Sequence, residues 1–292
     1  MTRTAAGPRP GAGDAGAIPV STRNARFQQW EALLANRTKR TRSGLFLIHG
    51  VRPITLAVEQ GWPIESILLA ASRRRSPWAA GVLAAVEAPR FALADELLRE
   101  LGGKDDETPE LVAVGRLLPD DLGRVDLGGD APLLVVFDRP TSPGNLGTLV
   151  RSADAFGARG VLVAGHAADI YDPRTVRAST GSLFTLPVVH VPATADVLSW
   201  LSEQRDDLRV VGTDESGTTT IDRLDFRGPT VVVVGNETSG MSAGWRAACT
   251  EVASIPIGGA ASSLNAASAA TVVLYEAARQ RGFPGSRESP AH

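Results

Sequence analysis

Three short stretches hold the residue types that could do chemistry. In 138-DRPTSPGNLGTLVRSADAFG-157, prolines and glycines enforce a tight loop before a helix. Asn145 falls near that helix start, a natural cap position, and Arg151 lies on its early turns among Leu149, Val150, Ala153 and Phe156. The second stretch, 235-GNETSGMS-242, sets Gly235, Asn236, Glu237 and Gly240 in quick succession at the end of an apolar run. The third, 255-IPIGGAASSLNAASAATVVLYEAARQR-281, is a loop of small residues followed by a helix. Its apolar stripe reads as Leu264, Ala267, Thr271, Leu274 and Ala278, and Ser262, Ser263, Leu264 and Asn265 form its mouth. Each stretch alone also has a plain structural reading: a capped βα turn, a simple turn, an N-cap before a small-residue packing face. No GxxxxGK[ST] follows a strand, nor does GxGxxG, so a triphosphate or dinucleotide cradle has weak support. The Glu237 carboxylate would repel phosphate. The loop suits a ligand with hydroxyls or positive charge, bound through backbone that glycine leaves accessible.

The elements that must position these residues are regular. The runs 133-LLVVFD-138, 160-GVLVAG-165, 209-RVVGTD-214 and 230-TVVVVGNE-237 are short, continuously apolar and end in polar or small residues. They suit strands of a parallel sheet buried on both faces. Helical segments at 146–157, 174–184 and 195–205 lie between them. An open helix-covered sheet results, with its ligand crevice at the carboxyl ends of the strands. Earlier in the chain, 24-NARFQQWEALLANRTKRTR-42 reads as an amphipathic helix with a cationic end. Strands at 45–50, 64–70 and 111–117 alternate with helices at 51–61, 79–87 and 94–103, a smaller α/β unit. The expected organisation is a tail at 1–22, a substrate-binding domain at 23–117, a linker at 118–132, a catalytic domain at 133–282 and a tail at 283–292, both tails being disordered.

Of the 292 residues, 30 are Lys or Arg and 32 are Asp or Glu, for a formal net charge of −2. Such a molecule is no global electrostatic glove for nucleic acid, so any RNA surface must be local. The candidate is the cluster Arg23, Arg26, Arg37, Lys39, Arg40 and Arg42 beside Phe27 and Trp30. The cations would position phosphates, and the two aromatics read as core more than as stacking platforms. One cysteine, Cys249, and four scattered histidines give no disulfide and no metal-ligand spacing. The start lacks the apolar core of a signal peptide, and no window of about 18 residues is uniformly apolar. A cytoplasmic protein with no membrane partner and no metal is expected.

Taken in order, NLGTLVRSADAFG, VVVVGNETSGMS and IPIGGAASSLNAASAATVVLYEA resemble the three signature motifs of the SpoU (TrmH-type) ribose 2′-O-methyltransferases of the SPOUT class. The resemblance spans roughly residues 133–281. The segment 36-NRTKRTRSGLFLIHGVRP-53 is similar to the ribosomal-protein-like RNA-binding domain that precedes the catalytic domain in many of these enzymes. The resemblance implies an α/β catalytic domain with a deep trefoil knot, S-adenosyl-L-methionine bent inside the knotted loops, and an active site completed in a homodimer. By position, it implies catalytic roles for Asn145, Arg151, Ser263 and Asn265. It also implies a cofactor pocket of Thr213, Gly235, Asn236, Glu237, Gly240, Ile255, Ile257, Ser263, Leu264 and Asn265. The family often has Met where Ile257 stands, a volume-conserving change.

The implied reaction is 2′-O-methylation of RNA, with a uridine of 23S rRNA as the leading substrate and antibiotic resistance as one role. The alternatives are tRNA methylation and a non-catalytic RNA-binding or ribosome-assembly protein. Arg37, Lys39, Arg40 and Arg42 are the expected RNA contacts. Arg151 is the inherited candidate for activating the ribose hydroxyl. A guanidinium is always protonated, so its part is to lower the hydroxyl pKa through its charge.

Overall fold

The computed structural model describes residues 16–102 and 108–283. They divide into two compact units. Residues 1–15 and 284–292 of the expected tails lie outside the described residues.

The first unit takes in the described residues up to Leu118 together with Tyr171–Arg177. Its strands are β1 (Ile18–Val20), β2 (Leu45–His49), β3 (Ile64–Ala70), β4 (Arg90–Leu93) and β5 (Leu111–Arg116), in the order β1-β4-β3-β5-β2. Strand β5 runs antiparallel to β2 and β3, and β4 is parallel to β3 and β1. Strand β1 corrects the expected tail. Three residues carry no period of their own; pairing with β4 and burial of Val20 supply the order. Helices α1 (Ala25–Ala35), α2 (Arg37–Ser43), α3 (Val51–Glu59), α4 (Pro77–Ala85) and α5 (Asp95–Gly102) surround the sheet strands. The helix expected over 24–42 is two. Asn36 closes α1 and, with its side chain accepting the Lys39 N–H at 3.0 Å, caps α2. Phe27, Trp30 and Leu33 are core, and the Trp30 ring meets Phe91 edge-on at 5.0 Å.

The second unit comprises Pro119–Ile170 and the described residues from Ala178 onward. Its strands are β6 (Leu133–Asp138), β7 (Gly160–Ala164), β8 (Val188–Val191), β9 (Arg209–Thr213), β10 (Thr219–Thr220), β11 (Thr230–Val234) and β12 (Glu251–Ser254). All pair in parallel, in the order β10-β12-β9-β11-β6-β7-β8. Strands β6, β7 and β11 are buried along their whole length, which is why they read as unbroken apolar runs. The helices are α6 (Pro143–Ala155), α7 (Pro173–Ser179), which begins in the first unit, α8 (Ser182–Thr185), α9 (Thr194–Gln204), α10 (Ala243–Ala248) and α11 (Ala266–Gln280). The helix expected over 174–184 breaks in two, because Thr180 (φ 49°) and Gly181 (φ 101°) turn left-handed.

The expected linker at 118–132 folds onto the second unit from Pro119 onward. Val125 and Leu127 are buried in its core. Asp120 accepts the His190 N–H at 3.1 Å and Arg124 donates to the Val188 carbonyl at 3.2 Å, so this segment runs along edge strand β8 and satisfies its open groups. Among the described residues no helix is long and apolar enough to cross a membrane, and no group of three His, Cys, Asp or Glu side chains could hold a metal.

Candidate functional site

The carboxyl ends of β6, β9 and β11 bring two of the three stretches together, and the start of α11 brings the third. Helix α6 begins where Ser142 accepts the Asn145 N–H at 3.3 Å, with Pro143 in its first turn. The cap is therefore Ser142, which frees the Asn145 side chain. After β11 the chain turns back on itself: Asn236 and Gly240 exchange backbone hydrogen bonds at 3.0 and 3.1 Å. The Asn236 Oδ1 accepts from Thr238 and Ser239 N–H groups at 2.9 and 3.0 Å. A Cβ on Gly235 would lie 2.5 Å from the Gly240 and Met241 backbone, so this turn admits only glycine there.

Glu237 is the centre of the arrangement. Its carboxylate accepts from the Thr141 N–H and hydroxyl, both at 3.0 Å, from the Ser142 N–H at 3.2 Å and from the Asn145 Nδ2 at 3.1 Å. Burial by itself would raise its pKa; these donors outweigh burial and hold the carboxyl below its ordinary value. The position at the N-terminus of α6 favours the anion as well. Asn145 Oδ1 in turn accepts from Asn265 Nδ2 at 3.1 Å, and Asn265 Oδ1 caps α11 through the N–H groups of Ala267 and Ser268. A continuous chain, Glu237–Asn145–Asn265, thus joins the three stretches. The Glu237 oxygens are thus occupied by Thr141 and Ser142, just before α6, and by Asn145 on it.

Beside this chain opens a cavity of about 580 Å³. Thr213, Gly235, Asn236, Glu237, Gly240, Ile255, Ile257, Ser263 and Leu264 all line it. Asn265 does not line it; it stands next to Leu264 and holds Asn145. Leu264 precedes the cap of α11 and is 40% exposed, so it belongs to the cavity wall and not to the helix stripe. Thr213 spends its hydroxyl on the Val233 carbonyl at 3.2 Å. Arg151 is exposed on α6 and does not line the cavity of its own chain. In the first unit, Arg37, Lys39 and Arg42 are exposed. Arg40 is not available to RNA: it is buried, donates to the Leu33 carbonyl at 2.6 Å and pairs with Asp172 at 3.6 Å.

Two family models match separate parts of the chain. Residues 24–113 match the SpoU L30e-like domain and residues 132–275 match the SpoU rRNA Methylase family. The 23S rRNA (uridine(2479)-2′-O)-methyltransferase of Streptomyces viridochromogenes is 54% identical over 265 residues, 90% of this chain and 92% of that relative. The chain belongs to the SpoU rRNA methylase family. The crystal structure of the SpoU methyltransferase AviRb from the same organism, in complex with the cofactor AdoMet, superposes with a TM-score of 0.85 at 54% identity, covering 89% of this chain and 98% of that one. An AdoMet-bound rRNA methyltransferase from Sinorhizobium meliloti gives a TM-score of 0.81 at 26% identity, over 90% and 98% of the two chains.

Within this SpoU site, Thr141 and Ser142 hold Glu237 and escaped the sequence reading. Ser142-Pro143 is a helix-start signature that points to Ser142 as the cap. Asp214 and Glu215, at the mouth of the cavity, also went unassigned. Their signal was the carboxyl end of β9, where ligand groups gather in such sheets.

Proposed function

We propose that this chain methylates the 2′-hydroxyl of a ribose in RNA, at a uridine of 23S rRNA, using S-adenosyl-L-methionine. The observation that carries the reading is the Glu237–Asn145–Asn265 chain closing three distant motifs around one cavity. The cavity fits the cofactor. Its volume lies in the ordinary range for a small-ligand site. Ile255, Ile257 and Leu264 offer apolar faces for a nucleobase, and the Gly235–Gly240 turn offers bare backbone. Glu215 suits the cationic portion of the molecule, whereas the Asp214 carboxylate is already held by Arg246 and Ser216. When bound, S-adenosylmethionine supplies a methyl group already activated by its sulfonium, so the residues have to align the acceptor and ease loss of its proton. Asn145 and Asn265, fixed by Glu237 and by the α11 cap, are preorganised to orient the ribose. Arg151 lowers the pKa of the 2′-hydroxyl through its charge.

Arg151 stands outside its own chain's cavity, which supports completion of the site by a second copy in a homodimer. The exposed Val272 and Tyr275 of α11 support the same reading. Tyr275 meets Phe156 at 5.9 Å and Phe283 at 5.5 Å, an aromatic patch suited to burial. Sedimentation is expected to give a dimer, and Tyr275→Asp a monomer with lost methylation; a wild-type monomer would remove this part. The trefoil knot implied by the family resemblance belongs to the same reading. Ribosomal RNA and a cytoplasmic location complete the reading.

The deciding experiment incubates the protein with labelled S-adenosylmethionine and separate 23S rRNA and tRNA pools, then maps the alkali-resistant ribose linkage. Label at one uridine of 23S rRNA is expected. Label in tRNA alone would replace the substrate, and no label in either would remove the enzyme reading. Because the family resemblance implies antibiotic resistance as one role, expression in a susceptible host tests whether the modification protects the ribosome.

A further inference from the structure

Asp138, the last residue of β6, and Arg139 after it touch the Asn236–Ser242 turn at three places, yet neither residue lines the cavity. Asp138 is buried, and its Oδ2 accepts the Ser242 N–H at 2.6 Å. The Arg139 guanidinium forks onto both Asp138 oxygens at 3.2 Å and donates from Nη2 to the Gly240 carbonyl at 3.1 Å. Its own carbonyl accepts the Asn236 Nδ2 at 2.6 Å. Arg139 does this from a left-handed backbone, φ 51°, which side chains other than glycine adopt at a cost. Its stem fills the space beside Gly165, where a Cβ would meet Arg139 Cγ at 2.8 Å. Pairing of β6 with β7 and β11 is complete without any of these side-chain bonds. A strained, non-glycine residue whose guanidinium bridges Asp138 to this turn points to a use at that turn.

We propose that Arg139 is a positioning residue for the cofactor: with Asp138 it locks the Asn236–Gly240 turn in the form that walls the cavity. The inference rests on the S-adenosylmethionine reading above. Its physical content is preorganisation. With the fork removed, the turn must be ordered when the cofactor enters, which weakens affinity without altering the groups that face the acceptor ribose.

The test compares wild type, Arg139→Gly, Arg139→Lys and Asp138→Asn by calorimetric titration with S-adenosylmethionine and by methylation kinetics. Arg139→Gly removes the left-handed strain together with the guanidinium, whereas Arg139→Lys keeps the strain and loses only the fork, so the pair of variants separates the two. Arg139→Gly is expected to raise both Kd and KM for the cofactor about tenfold, the loss of one charge-assisted hydrogen bond. At saturating cofactor its kcat should stay within about twofold of wild type. RNA affinity should be unchanged, Asp138→Asn should follow the same pattern, and Arg139→Lys should recover part of the loss. Wild-type Kd in Arg139→Gly, or a fall in kcat with Kd unchanged, would overturn the role. If the glycine variant does not fold, the lysine variant decides: a raised Kd supports the role and an unchanged one overturns it. Failure of the wild type itself to bind S-adenosylmethionine would instead remove the functional reading and this inference with it.

Discussion

Arg40 and its neighbours show how one residue type serves two physical ends within one heptapeptide helix. Arg37, Lys39 and Arg42 point outward on α2, whereas Arg40 turns inward to the Leu33 carbonyl and Asp172. Arg40→Met is expected to lower unfolding stability by about 2–3 kcal/mol in urea, since it leaves buried acceptors unpaired. The salt dependence of RNA affinity should stay as in wild type. Neutralising Arg37, Lys39 and Arg42 together should reverse the pattern, flattening the slope of log affinity against log salt by about two to three with little change in stability. At the reaction itself, Arg151→Lys keeps a charge but loses the planar fork. Its single-turnover rate should fall on the order of 100-fold with cofactor affinity intact. A wild-type rate would remove Arg151 from the chemistry. The cationic run was plain in the sequence. Which of its members faces inward was not, because Asp172 lies 132 positions further along the chain.

At the scale of elements, the start of α11 is both a helix cap and a strut. Asn265 closes the N-terminus of α11 with one end of its amide and grips Asn145 with the other. Asn265→Ala should cost about 1 kcal/mol for the cap. It should also weaken cofactor binding, measured by titration, because Asn145 and the adjoining Leu264 wall lose their anchor. Asn265→Ser restores a cap acceptor, so it should recover the stability but not the affinity. If it recovers both, the Asn145 contact contributes nothing to binding. Element boundaries were visible where local rules set them: the buried runs of β6, β7 and β11 are continuous in the sequence. Strands β1, β4, β8 and β12 are three or four residues long and were missed. Each is ordered by the strand beside it and not by a period of its own.

At the scale of the whole molecule, the first unit carries a sensitivity to acid. His49, in the first unit, is buried at the end of β2 with Nε2 on the Leu101 carbonyl at 2.6 Å. Burial, aided by the Arg177 charge, pushes its pKa down from 6.5 to about 4 against the raising effect of that carbonyl. The folded state therefore binds the proton less well than the unfolded chain, so the stabilisation is complete above pH 6.5 and is lost as pH falls towards 4. The difference corresponds to about 3 kcal/mol. Unfolding of the first unit, followed by hydrogen exchange, should grow easier across that window, and His49→Gln should flatten the dependence. An equal slope in the variant would place the acid sensitivity elsewhere. What the amino-acid sequence determined by itself was everything set by neighbours in the chain. This covers the apolar periods that make strands and helices, and the three motifs that place the chain in its family. Only the tertiary structure decided the partners. Glu237 is 92 positions from Asn145, and Asn145 is 120 from Asn265. Such bonds form only once the sheet has closed the distance, so their pairing depends on topology and leaves no trace in local composition.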